Sequence, residues 1–276
     1  MSHDKRTADQ IREHYEIEKD LAARLKNSSA EQRRELYTSL YNELFRRVPH
    51  HTQLTQKQSR EETAAYVAQQ MRFLSPFLAP ETTFLEIGPG SCALSIHVAG
   101  RVRAVYAVDV SQEITASIQA PDNFSLLISD GRSIPAADGI VDVAYSNQLM
   151  EHLHPDDAGA QLGEIYRVLR PGGTYVCLTP NRITGPHDIS RNFDDVATGF
   201  HLREYTTAEL QGMFAAVGFR RIRSHIGAKG VYMKPPRAAL LLFERCLAAL
   251  RFRFGIPLAR LRVCKPLVGA VIVGTK

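Results

Sequence analysis

The stretch "FLEIGPGS", residues 84–91, combines an apolar run, an acidic residue and two glycines around a proline. Glycines let a backbone approach a ligand closely, and the start of a following helix favours electron-rich groups. Asp109 stands near the end of the next apolar run, "VYAVDV" (105–110). A carboxylate at such a strand end can accept hydrogen bonds from both hydroxyls of an adenosine ribose. These residues therefore predict a nucleotide-binding turn beyond the ends of two strands.

The glycine turn alone does not identify the nucleotide. Read literally, "GPGSCA" (88–93) satisfies G-x-G-x-x-A, the dinucleotide-binding pattern with alanine in the last place. Nicotinamide enzymes and S-adenosylmethionine (SAM) enzymes both fit such a turn. On this motif, both cofactor classes remain open.

The elements that must position this turn are short apolar runs that alternate with helix-like stretches. The runs are FLEIG (84–88), VYAVDV (105–110), FSLLIS (124–129), VDVAYS (141–146) and TYVCLT (174–179). Strands separated in this way by helices predict right-handed βαβ units and a parallel sheet that is buried on both faces. Further strands are expected near 220–226 and in "LVGAVIVGT" (267–275). The predicted fold class is α/β, with a doubly wound, Rossmann-like sheet.

Helices are predicted on both sides of these strands in the sequence. Before residue 75, Leu36, Leu40 and Leu44 form a stripe with the helical period. The pairs Ser28/Glu31 and Ser59/Glu62 have the spacing of capping boxes, and further helices are expected in "SQEITASIQ" (111–119) and at 206–219. "RPGG" (170–173) is predicted to be a turn that ends a helix and starts a strand. We divide the chain into an N-terminal helical extension (1–75), a nucleotide-binding core (76–230) and a basic apolar insertion with the final core strand (231–276).

The composition is that of a soluble globular protein, with 44% apolar and 23% charged residues in 276. The four cysteines include no C-x-x-C pair, and no His/Cys cluster has metal-ligand spacing, so neither a disulfide framework nor a metal site is expected. The N-terminus is too polar for a secretory signal, and no apolar run is long enough to span a bilayer. We therefore expect a cytoplasmic protein.

Positive charge is concentrated at the C-terminal end of the chain. From residue 230 onward there are nine basic residues and one acidic residue, although the whole chain carries only +5. The segment 234–263 combines arginines with leucines and phenylalanines, so it could be a helical cover or an interfacial helix that contacts anionic lipid at the inner membrane surface. Nucleic acid is not an expected partner, because the basic residues alternate with leucines and not with aromatic stacking residues.

Several motifs in sequence order resemble the class I SAM-dependent methyltransferases, in particular the bacterial type 11 enzymes of small-molecule and glycan pathways. The resemblance covers roughly residues 70–227 and the last strand. It is carried by "LEIGPGS", "VYAVDVS", "ISDGRSIPAADGIVDVAYSNQLMEHL" (128–153) and "EIYRVLRPGGTYVCLTPN" (164–181). It implies a seven-stranded, mostly parallel sheet with an antiparallel last strand. It also implies SAM as cofactor and methyl transfer to a small-molecule, saccharide or lipid-linked acceptor.

The resemblance further implies a set of cofactor contacts. The residues that would contact SAM are Glu86, Gly88, Gly90, Asp109, Val110, Asp130, Gly131 and Asn147. The glycines of the turn would pass under the methionine portion, and Glu86 would hold its amino group. Asp109 would bind the ribose hydroxyls and Val110 would pack on the adenine. Asp130 would accept from the adenine amino group, Gly131 would leave room for the ring, and Asn147 would face the reacting centre.

Fewer motif residues can be assigned to binding of the methyl acceptor than to binding of the cofactor. His152 is the candidate general base, although a packing role beside the pocket explains it equally well. The long connection 181–206 is expected to bind the acceptor through His187, Arg191 and His201. An ion pair between Asp188 and Arg191 that merely braces this loop is the alternative. At the level of function, an NAD(P)-dependent oxidoreductase and a non-catalytic SAM-binding protein remain alternatives to the methyltransferase.

Overall fold

The computed structural model describes residues 6–51, 59–110, 119–228, 231–254, 264 and 269–276. The strands are β1 (Thr83–Ile87), β2 (Ala104–Asp109), β3 (Phe124–Ile128), β4 (Val141–Asn147), β5 (Leu169–Pro180), β6 (Arg223–Ala228), β7 (Val231–Met233) and β8 (Gly269–Thr275). They form one eight-stranded sheet in the order β3-β2-β1-β4-β5-β8-β6-β7. The order reverses between β1 and β4, which is where an open α/β sheet binds its ligands.

The predicted α/β fold is confirmed, with one correction to the strand count. Strands β1 to β5 are parallel, and β8 pairs antiparallel with β5, as expected for the last strand. The sheet has eight strands and not seven, because β7 forms an antiparallel pair with β6. A strand of three residues is too short to show the alternation from which strands are predicted.

The "RPGG" turn (170–173) was predicted to end a helix and start a strand, and the preceding helix does end at Val168. The strand begins slightly earlier than predicted, because β5 starts at Leu169 and includes these four residues. Leu169 still pairs with Val141, and the register then shifts before Val143 pairs with Thr174. Gly172 has φ +80°, a left-handed conformation that glycine adopts without steric cost. The glycine therefore produces a bulge within the strand instead of ending it.

The helices are α1 (Ala8–Lys26), α2 (Ala30–Arg47), α3 (Arg60–Leu74), α4 (Ala93–Ala99), α5 (Pro155–Val168), α6 (Thr207–Val217) and α7 (Arg237–Phe254). The capping box of Ser59 and Glu62 is confirmed at the start of α3. The box that opens α2 is formed by Ser29 and Gln32, one residue later than predicted. Ser28 instead donates its hydroxyl to the carbonyl of Leu25, 2.8 Å away, at the end of α1. A helix is expected from the sequence at 111–119, but residues 111–118 of this range lie outside the described residues.

The N-terminal helices share the core of the sheet. Leu21 of α1 and Leu40 of α2 are fully buried, and they belong to the same apolar cluster as Leu85 of β1. A second cluster, on the other face, packs α3 and α4 against the sheet through residues such as Leu74 and Val98. Both sheet faces are therefore covered, as a parallel sheet requires. The division into three segments stays a prediction.

Candidate functional site

The turn after β1 brings bare backbone to the carboxyl edge of the sheet. Gly88 and Gly90 have φ of +68° and +53°, which favours glycine at both positions. A Cβ atom on Gly88 would lie 3.2 Å from Cδ1 of Leu149, whereas a Cβ on Gly90 would meet nothing within 4 Å. The Gly88 N–H donates to the carbonyl of Val108 at 2.9 Å and fixes the turn beside β2. The turn thus presents its second glycine to open space.

Glu86 lies beneath this turn and is only 3% exposed. Its Oε2 accepts a hydrogen bond from the hydroxyl of Ser95 on α4. Burial raises the pKa of Glu86 to about 7, against the effect of the Ser95 hydrogen bonds. A cationic group bound beside Glu86 would favour the ionised form of this carboxyl group.

Asp109 ends β2 at the same edge and Val110 follows it directly; both residues are half-buried. The Asp109 carbonyl accepts from the N–H of Ser129 at 2.9 Å, which ties the end of β2 to that of β3. The Val110 carbonyl accepts from the hydroxyl of Thr38 on α2 at 2.7 Å. Helix α2 therefore lies against the strand end that was assigned to the ribose and the adenine.

Asp130 and Gly131 lie beside α2 as well. One carboxylate oxygen of Asp130 accepts from its own turn, including the Ser133 N–H at 2.8 Å, and the other lies 3.2 Å from Nε of Arg34. A Cβ on Gly131 would come within 2.7 Å of the Tyr37 ring. The ring of Tyr37 therefore packs directly against Gly131, the residue that was predicted to leave room for adenine. The adenine roles of Asp130 and Gly131 stay predictions.

Sequence reasoning gave α2 no part in the site. Arg34, Tyr37 and Thr38 all contact predicted adenosine residues, and Tyr37 also donates to Asp157 of α5 at 2.8 Å. The leucine stripe of α2 predicted which face would be buried. The aromatic and polar residues beside that stripe were the available signal, but their target depends on tertiary packing.

On the acceptor side, Asn147 and His152 lie at and just beyond the end of β4. Nδ2 of Asn147 donates to the hydroxyl of Tyr66 at 3.2 Å. Nδ1 of His152 lies 3.0 Å from the Phe200 carbonyl and must donate to it, which leaves the lone pair on Nε2. The pKa of His152 is lowered to about 4, mainly because the ring is removed from water and to a smaller extent because His201 lies nearby. His152 is therefore neutral at pH 7 and a weak base.

The connection 181–206 divides its predicted residues between the interior and the surface. His201 is buried, its ring centroid lies 4.9 Å from that of His152, and its Nδ1 lies 2.8 Å from Oε1 of Glu204. The same Glu204 oxygen accepts from the backbone N–H of His187 at 2.7 Å. Arg191 is exposed and forms no salt bridge within the described part of the chain. The structure thus brings His201 and His152 together, while Arg191 lies at the surface. Burial lowers the pKa of His187, and Arg191 lies near enough to lower it further, by a smaller amount.

The Asp188–Arg191 ion pair is not what braces this connection. Asp188 caps the short helical turn at Ile189–Asn192 by accepting from the Ser190 N–H at 3.1 Å. Its other oxygen accepts from the backbone of Gly199 at 3.0 Å. The loop is therefore closed by hydrogen bonds to the main chain.

The fold and the glycine turn together define a Rossmann-like nucleotide-binding protein. Residues 85–177 match the family described as "Methyltransferase domain". A probable S-adenosylmethionine-dependent methyltransferase of Mycolicibacterium smegmatis is 33% identical over 136 residues, which cover 49% of this chain and 51% of the relative. A malonyl-[acyl-carrier protein] O-methyltransferase of Pectobacterium atrosepticum is 35% identical over 98 residues, which cover 34% and 37%. The chain thus matches about half, or less, of the length of these curated relatives.

Solved structures share the fold. A SAM-dependent methyltransferase of Thermotoga maritima, described as a possible histamine N-methyltransferase, has a TM-score of 0.53 at 16% identity and covers 78% of this chain and 90% of its own. The 1,6-didemethyltoxoflavin-N1-methyltransferase of Burkholderia thailandensis, with S-adenosylhomocysteine bound, has a TM-score of 0.50 at 17% identity, covering 78% and 80%. Residues 85–177 therefore match a methyltransferase domain, and the chain shares its fold with SAM-dependent methyltransferases.

The pKa of Glu86 leads to a prediction about the cofactor. If Glu86 binds the SAM ammonium, its ionised form is required, so affinity should fall about tenfold for each pH unit below about 7. Isothermal titration calorimetry between about pH 5.5 and 8.5 would measure this dependence, because that range extends more than one pH unit to either side of the pKa of Glu86. Glu86→Gln should bind more weakly at the alkaline end and show a flat profile. Glu81→Gln, which alters an exposed glutamate, should retain the wild-type slope, and a flat wild-type profile would contradict the assignment.

Proposed function

We propose that the protein transfers the methyl group of SAM to a small-molecule, saccharide or lipid-linked acceptor. The observation that carries the proposal is the convergence of the glycine turn, buried Glu86 and the Asp109 strand end at the switch point of a methyltransferase-type sheet. The sulfonium of SAM already activates the methyl group, so the enzyme has mainly to align the acceptor and exclude water.

The SAM contacts proposed for this site follow from the strand ends. The Gly88–Gly90 backbone would support the methionine portion, with Glu86 at its amino group. The ribose would lie at Asp109, and the adenine would lie among Val110, Asp130 and Gly131. Since Tyr37 already contacts the space above Gly131, α2 would have to shift or share that space with the adenine ring. Asn147 would face the methyl group from the end of β4.

The acceptor is proposed to bind between β4 and the 181–206 connection. His152 would accept a hydrogen bond through Nε2, and its low pKa favours orientation of the acceptor over removal of its proton. His201 and His187 would contribute from the loop, with Arg191 at its outer rim. The Burkholderia protein is named for 1,6-didemethyltoxoflavin and the Pectobacterium relative for malonyl-[acyl-carrier protein], which supports an acceptor whose methylated group is small.

Helix α7 bears on whether the acceptor is attached to a lipid. Its inner face is fixed by buried Glu244, which accepts from Asn181 at 2.7 Å, and by Arg251, which donates to the carbonyl of Arg182 at 2.9 Å. Leu242 and Leu250 are 64% and 42% exposed on the outer face. Exposed leucines support the proposed contact with an anionic membrane. Among the described residues, no helix is both long and apolar enough to cross a bilayer.

Transfer of a labelled methyl group from SAM into a cell extract would test the proposed function. We expect label that depends on the protein and that partitions into either the organic or the aqueous phase. Organic label would favour a lipid-linked acceptor and a membrane role for α7, and aqueous label would favour a soluble acceptor. At a SAM concentration well below saturation, transfer by Asp109→Asn should fall by about 100-fold, in line with its weaker SAM binding.

The two alternatives make different predictions for ligand binding. An NAD(P)-dependent oxidoreductase would be stabilised against heat by NADH and not by SAM. A non-catalytic SAM-binding protein would be stabilised by SAM but would transfer no label to any fraction. Either result would reject the methyltransferase proposal.

A further inference from the structure

Two groups of histidine and glutamate side chains in the described part of the chain are arranged like metal ligands. In each group, one potential ligand atom from each residue lies within 4.8 Å of those from the other two. The groups are His14, Glu18 and His51, and Glu151, His152 and His201. Sequence spacing predicted no metal site, because the third member of each group, His51 or His201, is distant in sequence from the other two.

The first group is already satisfied by hydrogen bonds within the protein. Arg6 can only donate, so its contact of 2.6 Å with Nδ1 of His14 uses the lone pair of that nitrogen. Nε2 of His14 must then carry the proton and donate to Glu18, 2.7 Å away. The other oxygen of Glu18 accepts from the Phe200 N–H at 3.1 Å. His14 therefore has no nitrogen left to bind a cation.

The histidines of the second group have the opposite arrangement. His152 donates from Nδ1 to the Phe200 carbonyl at 3.0 Å, and His201 donates from Nδ1 to Glu204 at 2.8 Å. Each hydrogen bond leaves the Nε2 lone pair of the ring without a partner among the described residues. Histidines that bind metals in proteins commonly donate their other N–H to a carbonyl or a carboxylate in this way, which fixes the tautomer.

The carboxylate of Glu151 provides a second observation that points to a bound cation, independent of the two histidines. Its side chain is fully buried, and Oε2 accepts from the hydroxyl of Thr179 at 2.8 Å. Oε1 has no hydrogen-bond partner in the described part of the chain. A buried carboxylate oxygen without a partner is unfavourable, and it lies in the same cluster as the rings of His152 and His201.

We propose that Glu151, His152 and His201 bind one divalent transition-metal ion. Two imidazole nitrogens and a carboxylate oxygen suit Zn²⁺, Fe²⁺ or Mn²⁺, and leave coordination positions open. Ligand atoms of one such ion lie about 3 to 3.5 Å apart, so ligand atoms that are at most 4.8 Å apart would have to approach by at most about 1.5 to 2 Å on binding. His152 is only half-buried, which gives the ion a way in from the acceptor side.

A metal at this position would also define the acceptor. An open coordination position binds a hydroxyl or carboxylate oxygen and favours its anionic form, so the preferred acceptor would be an oxygen. The ion would then take over the contact between His152 and the acceptor. This consequence rests on the proposed function, whereas metal binding itself does not.

The test is the binding of Zn²⁺ and Co²⁺ to the chelator-treated protein without SAM or acceptor. We expect one ion per chain and visible absorption bands from bound Co²⁺. Removal of a ligand in His201→Ala or Glu151→Gln should weaken binding about 100-fold or more, and Glu204→Gln should weaken it about 10-fold or more through the orientation of His201. His97→Ala removes an exposed histidine on α4 and should bind as the wild type does.

Circular dichroism and thermal unfolding would show that each variant is folded, and His201→Asn replaces His201→Ala if that variant is not. Absence of stoichiometric uptake by the wild type would overturn the proposal. Uptake that survives His201→Asn but is lost in His14→Ala would also overturn it, because the ion would then occupy the first group. Since no methyl transfer is measured, failure of the methyltransferase proposal would leave this result unchanged.

Discussion

Replacement of Asp109 with asparagine should weaken SAM binding by about 100-fold. The proposed site uses both oxygens of this carboxylate to accept from the two ribose hydroxyls, and hydrogen bonds to a charged group contribute about 1.5 to 3 kcal/mol each. Asparagine retains the shape but offers only one acceptor oxygen. A loss of about 2.8 kcal/mol corresponds to 100-fold in the dissociation constant. Calorimetric titration with SAM and with S-adenosylhomocysteine would measure the loss.

Asp122→Asn is the matched control for this prediction. Asp122 is exposed in the connection before β3, and its replacement should leave SAM affinity within about twofold of the wild type. Thermal unfolding without ligand would establish that both variants are folded. Unchanged affinity in folded Asp109→Asn would remove Asp109 from the cofactor site and leave the glycine turn as its main support.

Local patterns were sufficient to predict the sheet and the order of its motifs. Each parallel strand is a short apolar run followed by a turn, so β1 and β2 could be placed from a few neighbouring residues. Asp109 could be assigned to the edge of the sheet because the carboxyl ends of parallel strands meet there. The β7 strand and the bulge at Gly172 were missed, since they depend on a partner strand that local sequence does not specify.

The parts of the site that were missed depend on tertiary contacts between distant segments. Nothing near Tyr37 in the sequence indicates that its ring packs on Gly131. Likewise, the proximity of His152 and His201 follows from the path of the 181–206 connection, which carries no repeating pattern. Sequence spacing therefore identified both histidines separately, as a base and an acceptor ligand, but not as one cluster with Glu151.

The attachment of α2 to α5 is the basis of the second large effect. Arg33 and Asp157 are both buried, and Nη2 of Arg33 donates to Asp157 at 3.0 Å alongside a second bond from Nε. Tyr37 donates to the same carboxylate, and Arg132 lies 3.2 Å from it. Removal of one partner from a buried ion pair is strongly unfavourable, because the remaining charge is left without compensation.

Asp157→Asn should therefore lower the free energy of unfolding by about 3 kcal/mol, measured by urea denaturation. Its neighbour offers a matched control: the side chain of Asp156 is 79% exposed and 4.0 Å from Arg33, so Asp156→Asn should cost less than about 0.5 kcal/mol. Equal small losses in both variants would show that the Arg33 pair does not fasten α2. A large loss confined to Asp157→Asn would show that this buried carboxylate fastens α2, the helix that carries Tyr37, to α5.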